Sequence, residues 1–349
     1  MDMKRDYYED VALFSSPVAV FWFVLLLVLL ALLPFWVKNY YVYLVNYLAI
    51  NVIVVLGLNI LVGFTGQVSL GHAGFFAVGA YGTVLLMTHL HLPFVLALPA
   101  AALVAALFGF LLGLPALRLE GPYLAIATLG FGMTITQVIG RIEAFGGRQG
   151  LHAPDLAIGP WHLATDRAFY YLVVPVAIVL TVAARNIART RVGRAFVAIR
   201  DAEVAAETIG VNLTYYKTLA FALSAFYAGI GGGLYAFVLR FIEPELFSLL
   251  MSIMFLAMAV VGGLGSIMGA VTGACLLTWL DLQLRNITGV PVLGAWLEDL
   301  SRQYLTTTGL SNIQFVVFGA ILIGIMIFEP LGLYGFWIRA KKYWRTWPF

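Results

Sequence analysis

Apolar residues fill long windows of this chain from which Asp, Glu, Lys and Arg are absent. The longest window runs without a break from Asn39 to Leu117, and another runs from Leu246 to Leu280. A membrane-spanning helix needs about 20 mainly apolar residues to cross a hydrocarbon core of about 30 Å. The windows therefore predict about ten spans, at 18–36, 40–62, 70–89, 94–117, 122–140, 168–185, 218–238, 247–263, 267–284 and 313–330. Because lipid requires internal backbone pairing and the alternation of a barrel strand is absent, we expect helices.

Two glycine-rich breaks interrupt the longest windows. Interrupted spans mark transport sites, because unwound backbone is tolerated at membrane depth only where it lines a cavity or protein. The first break supplies candidates for a translocation path or a gate: Thr65, Gly66, Gln67, Ser69, Gly71 and His72. Substrate binding, a gate or hinge, and a neutral interior histidine at position 72 stay open as interpretations. The second break supplies candidates for helix packing or a hinge, with packing favoured over substrate contact: Gly262, Gly263, Gly265, Gly269 and Gly273.

The composition agrees with a membrane protein. Of 349 residues 62% are hydrophobic and 11% charged, and the mean hydropathy is +0.96. Soluble domains are about half apolar and a quarter charged, so an ordinary cytosolic enzyme, a disordered chain and a nucleic-acid binder are excluded. The single cysteine, Cys275, excludes an intrachain disulfide.

Basic residues predict the orientation, because short cytoplasmic loops are enriched in Lys and Arg. The connection 185–217 carries six such residues, and the chain after 330 carries four. We predict that both are cytoplasmic, as are the N- and C-termini. The segments 141–167 and 285–312 then face outward, where 285–312 is either a docking surface or a plain water-facing loop.

The connection 185–217 also contains a predicted helix pair. A basic helix over 193–200 is followed by Asp201 as a predicted N-cap and by a second helix that Gly210 ends. Ala202, Ala205, Ala206 and Ile209 fall on one narrow face of small residues, with Glu203 elsewhere. This face is either a contact for a partner protein or part of a solvated interfacial helix.

Motifs for catalysis are missing. The chain has no H-E-x-x-H sequence and no P-loop lysine, so it hydrolyses no nucleotide by that route. Few ionisable residues lie inside the windows, which leaves ion-driven transport little to use. We expect a transporter subunit or a channel, not an enzyme, and no metal site.

Longer motifs carry a family resemblance. The stretch 56–81 (LGLNILVGFTGQVSLGHAGFFAVGAY) and the stretch 261–274 (VGGLGSIMGAVTGA) resemble the signature regions of branched-chain amino acid permeases of the LivM type, which belong to ABC importers. The segment 203–210 is similar to the cytoplasmic E-A-A-x-x-x-G element of such permeases. It departs from that element at Val204, and Glu203 sits one residue early.

The resemblance, over about 40–335, implies a single all-α permease domain across 1–349, in a bacterial inner membrane. It implies a second homologous permease, two cytoplasmic ATPases that use ATP and Mg²⁺, and an extracytoplasmic solute-binding protein, with no cofactor on this chain. ATPase-coupling residues are then Arg194, Arg200, Asp201, Glu203, Ala205, Ala206 and Gly210. The implied cargo is a branched-chain or other neutral amino acid. The alternative is a passive channel, or an ABC permease, for urea or short amides.

Overall fold

The structure is a computed structural model of the chain. It describes residues 17–117, 119, 121–158, 161–162, 165–285, 319–320, 322–327, 329 and 332–346. The described part is almost entirely helical. Its helices are α1 (Pro17–Trp36), α2 (Asn39–Asn59), α3 (His72–His89), α4 (Phe94–Ala116), α5 (Pro122–Arg141), α6 (Asp166–Arg189), α7 (Arg191–Asp201), α8 (Glu203–Thr208), α9 (Leu213–Leu239), α10 (Leu249–Gly262), α11 (Ile267–Arg285) and α12 (Gly332–Thr346).

Nine of the ten predicted spans coincide with helices to within a few residues. Six helices of the described chain are long and apolar enough to cross a membrane, with two shorter apolar helices at Val20–Trp36 and Ile267–Gln283. The all-helical architecture is therefore confirmed. Half of the predicted span 313–330 lies outside the described residues, and its described parts 319–320 and 322–327 are helical. Most of the segment 285–312 also lies outside the described residues.

Helix α9 forms the centre of the bundle and packs most extensively against α4, α3 and α2. Glycines allow these close crossings, since a Cβ on Gly229 would lie 2.8 Å from the Cα of Ala102 and 2.9 Å from the Cβ of Ala105. By contrast, α1, α4 and α5 expose large apolar side chains outward, including Phe21, Trp22 and Leu103. Apolar residues facing out of a helical bundle are the expected surface for lipid.

Within the described ranges, four short strands lie in the connections between helices. β1 (Leu151–His152) pairs antiparallel with β4 (Phe241–Ile242), and β2 (Ala157–Ile158) pairs with β3 (Trp161–His162). The first pair joins the α5–α6 connection to the residues after α9. We call this end of the bundle the strand end, and the opposite end, which carries α7 and α8, the coupling end.

Candidate translocation and coupling site

The first glycine break begins where α2 passes into one π-helical turn, Ile60–Phe64. Such turns occur frequently at functional sites. Gly66 ends the turn with a φ of +73°, a left-handed conformation that glycine adopts without steric cost. The amides of Gly66 and Gln67 donate to the carbonyl oxygens of Val62 and Leu61. The chain then continues without helix until α3 begins at His72.

The predicted path residues lie along this unwound segment and are mostly buried. Thr65, Gln67, Ser69 and His72 are each at most 6% exposed, whereas Gly66 is exposed. In the part of the chain that the structure describes, no hydrogen-bond partner is found for Gln67 Oε1, Ser69 Oγ or either ring nitrogen of His72. Buried polar atoms are nearly always paired, with protein or with water. Polar atoms without protein partners therefore concentrate in the segment that the sequence marked as a path or gate.

The end of the unwound segment is fixed by helices α5 and α10. The amide of Leu70 donates to Thr128 Oγ1 at 3.0 Å, and the amide of Ala73 donates to Ser252 Oγ at 2.9 Å. A Cβ on Gly71 would overlap the carbonyl of Thr128. Glycine is required there because the two backbones touch.

The second break joins α10 to α11 through two residues with positive φ, Gly263 at +116° and Gly265 at +77°. The helices that flank the break cross closely at the predicted glycines. A Cβ on Gly269 would lie 2.6 Å from the carbonyl oxygen of Gly262, and one on Gly273 would lie 2.6 Å from the Cα of Gly262. Gly262, Gly269 and Gly273 therefore lie where the backbones of α10 and α11 approach each other most closely.

Asn59 joins the two breaks and was not among the residues selected from the sequence. Its side chain is fully buried, its Oδ1 accepts from the amide of Gly265 at 3.0 Å, and its Nδ2 donates to the carbonyl of Ser266 at 3.0 Å. An asparagine in the middle of an apolar run, one turn before the break, was the available signal. Polar side chains inside spans are rare and are usually paired with backbone or with one another.

Arg200 lies at the same junction, at the end of α7. Its Nη1 donates to the carbonyl of Gly63 at 2.9 Å, and its Nε and Nη2 bind Asp201 Oδ1 at 3.0 and 2.9 Å. The last carbonyls of a helix lack intrahelical partners, so Gly63 is free to accept this bond. A Cβ on Gly66 would lie 3.2 Å from Arg200 Cγ, and one on Gly265 would lie 2.8 Å from Nη1. The guanidinium therefore contacts both breaks.

The short helix α8 differs in two details from its sequence prediction. Asp201 ends α7 and pairs with Arg200, and Ala202 is the N-cap of α8. Ala206 is buried within the chain, whereas Val204 and Ile209 are 76% and 78% exposed. The surface of α8 that faces away from the rest of the chain therefore carries the larger apolar side chains of Val204 and Ile209, and not only the small residues of the predicted face.

The ends of α8 are held by two local contacts. Gly210 has a φ of +92°, its amide bonds the carbonyl of Glu207, and the amide of Val211 bonds that of Ala206. This is the Schellman arrangement that stops a helix. Glu203 forms an ion pair with Lys217, whose side chain is 5% exposed.

The remaining predicted coupling residues lie apart from the junction. Arg194 donates to the nearby carbonyl of Arg189 at 3.2 Å and does not reach the breaks. Ala205 is exposed on α8. In the part of the chain that the structure describes, no group of three or more His, Cys, Asp or Glu side chains is placed to hold a metal ion.

Comparison with known proteins gives a family match over most of the chain. Residues 40–326 match the family model described as "Branched-chain amino acid transport system / permease component". The high-affinity branched-chain amino acid transport system permease protein LivM of Salmonella typhimurium is 34% identical over 333 residues, covering 88% of this chain and 73% of that protein. The Escherichia coli protein of the same name is 34% identical over 335 residues, covering 89% and 73%. No solved structure matches the chain significantly.

Proposed function

Because the chain belongs to the family of branched-chain amino acid transport system permease components, we propose that it is the membrane-spanning subunit of an ATP-driven importer. Its cargo is a branched-chain or closely similar neutral amino acid, the cargo that the names of both relatives state. The single observation that carries the coupling mechanism is the hydrogen bond from Arg200 to the carbonyl of Gly63.

The coupling end receives the force of nucleotide hydrolysis. The exposed apolar side chains of Val204 and Ile209 offer partner ATPases a surface on α8. The buried Lys217 binds Glu203 and so ties α8 to α9. Partners bind ATP and Mg²⁺, and this chain supplies no nucleotide site.

Movement of α7 then reaches the membrane region through Arg200. The guanidinium contacts the first break at Gly63, and Asn59 joins that break to Gly265 and Ser266 in the second. A rotation of α7 therefore displaces both breaks together. Coupled breaks can open the unwound segment to one side of the membrane while closing it to the other.

The orientation follows from the basic connection 185–217, placed in the cytoplasm of a bacterium with both termini. The start of α12 supports this placement, because a Cβ on Gly332 would lie 2.6 Å from the carbonyl of Val261 and 2.7 Å from the amide of Gly263. The basic C-terminal helix and the coupling helices thus share one end of the bundle. The strand end is then extracytoplasmic, where a solute-binding protein delivers cargo to this chain and a second homologous permease.

Reconstitution in proteoliposomes tests the proposal. The chain with its permease partner, ATPases and binding protein should take up radiolabelled leucine only with ATP, and the chain alone should neither hydrolyse ATP nor transport. Arg200→Ala should retain ATP hydrolysis but lower the leucine transported per ATP. Arg191→Ala, at the exposed start of the same helix, is the matched control. Leucine or urea entry through the chain alone, without ATP, would identify a passive channel and refute the proposal.

A further inference from the structure

A groove of about 700 Å³ opens at the strand end beside the last turns of α5. Small-molecule sites commonly occupy a few hundred to 1,000 Å³, so the groove can hold an amino acid. Three charged side chains line it, Arg141, Arg148 and Glu245, together with the apolar side chains of Met133, Phe247 and Leu249. Both signs of charge beside apolar surface match the chemistry of a zwitterion that carries a hydrocarbon side chain.

The charged residues come from three separate elements that the fold brings to one place. Arg141 ends α5, while Arg148 and Glu245 lie in short 3₁₀ turns, Gly147–Gln149 and Pro244–Leu246. The pairing of β1 with β4 holds the segments of these turns together. A Cβ on Gly140 would lie 3.7 Å from Pro244 Cγ and 3.9 Å from Arg148 Cγ, so both turns pack against the end of α5.

A second, much smaller cavity continues from the groove toward the unwound segment. It measures about 30 Å³, shares Met133, Phe247 and Leu249 with the groove, and reaches Leu70 and Ala73. A water needs roughly 10–15 Å³ measured in this way, so the passage admits water but not an amino acid.

Backbone contacts close the passage below the groove. A Cβ on Gly74 would lie 2.9 Å from the Cα of Gly132, and one on Gly132 would lie 3.0 Å from the Cα of Gly71. Ser69 and His72 flank Leu70 and Gly71 in the chain, and their buried polar side-chain atoms have no hydrogen-bond partner among the described residues. The groove therefore ends at a closed constriction that leads to polar groups without partners.

We infer that the groove is an entry site for a zwitterionic amino acid, held above the closed constriction before translocation. Arg141 and Arg148 receive its carboxylate, Glu245 receives its ammonium group, and Met133, Phe247 and Leu249 contact its side chain. The inference rests on the proposed function and adds to it a binding site with named recognition groups. The binding protein releases the amino acid into this site, and movement of the unwound segment against α5 admits it further.

Uptake by the assembled transporter tests the site with Arg148→Gln and Glu245→Gln. Maximal leucine uptake at saturating binding protein should fall at least about tenfold, the loss expected for one hydrogen bond to a charged group. The binding-protein concentration for half-maximal uptake should stay unchanged. Arg148→Lys, which keeps the charge, should retain most of the uptake. Glu143→Gln, an exposed change in the same outer segment but outside the groove, is the matched control.

Unchanged maximal uptake in both variants would overturn the inference. So would a change confined to the half-saturating concentration of binding protein, because that result would identify the groove as a docking surface.

Equilibrium dialysis of radiolabelled leucine against the assembled transporter without binding protein gives an independent measurement. Leucine should compete for the site more strongly than leucinamide, which lacks the carboxylate, or 4-methylpentanoate, which lacks the ammonium group. Absence of leucine binding, or equal competition by all three, would overturn the inference. Binding that depends on Arg148 and Glu245 in a transporter without ATP-driven uptake would instead refute the proposed function and leave the entry site standing.

Discussion

Replacement of Asn59 by alanine should weaken the junction between the two glycine breaks. The substitution removes the hydrogen-bond partner of the Gly265 amide and one of two bonds to the carbonyl of Ser266, which also accepts from the amide of Ala270 at 3.0 Å. The side chain is fully buried, and each buried group left unpaired costs about 1–3 kcal/mol. The free energy of unfolding should therefore fall by roughly 2–4 kcal/mol, about 1–3 kcal/mol for the amide of Gly265 left unpaired and about 1 kcal/mol for the lost bond to Ser266.

Asn46→Ala provides a matched control on the same helix. Asn46 is also buried, but its Nδ2 donates a single bond, to the carbonyl of Asp166 at 3.0 Å, and its Oδ1 has no partner. Its removal loses this one bond, to a carbonyl that is also bonded within α6, and eliminates an oxygen that has no partner among the described residues. We expect a loss of about 1 kcal/mol, close to the net value of one hydrogen bond.

Unfolding by SDS in mixed micelles, followed by tryptophan fluorescence, measures both losses in the same detergent. Leucine transported per ATP in proteoliposomes gives a second readout, which should fall for Asn59→Ala and not for Asn46→Ala. Equal losses of stability for the two variants would refute the clamp at the junction. Full coupling in Asn59→Ala would show that the two breaks move independently.

Two further predictions concern packing and charge. Gly262→Ala should lower the free energy of unfolding by about 1–3 kcal/mol, because its methyl group would overlap the carbonyl of Gly269. Gly130→Ala, where nothing lies within 4 Å of the new atom, should leave the free energy of unfolding in SDS unchanged or slightly higher. Equal effects of the two substitutions would contradict the close crossing of α10 and α11. Glu203→Ala should lower the free energy of unfolding by roughly 1.5–3 kcal/mol, because it removes the charged hydrogen-bond partner of the buried Lys217 while Glu203 itself is 35% exposed. The double variant with Lys217→Met should recover most of the loss. A double variant less stable than Glu203→Ala would argue against the cost of an unpaired Lys217.

Much of the candidate site could be predicted from the sequence, because the features that identify its residues lie within short stretches of the chain. Thr65, Gly66, Gln67, Ser69 and His72 stand out as a polar and glycine-rich interruption of an apolar window. The structure places Gly66, Gln67 and Ser69 in an unwound segment, and Thr65 and His72 at the helix ends that border it. A helix interruption depends on residues only a few positions apart, so composition over a short window suffices.

The contacts of these residues with distant parts of the chain could not be predicted in the same way. The role of Asn59 could not be predicted, because nothing near it in the sequence indicates that it faces Gly265. The inward position of Ala206 was missed because small-residue spacing defines a face of the helix but not what covers that face.

The sequence alone determined that this chain is a helical membrane protein and where most of the long helices that the structure describes lie. The physical reason is that lipid excludes charge and forces each span to pair its own backbone, so every span is specified by its own residues. Only the tertiary structure decided that Arg200 meets Gly63, across 137 residues. Contacts between helix ends depend on how whole helices pack, and the same packing brings Arg141, Arg148 and Glu245 to one groove.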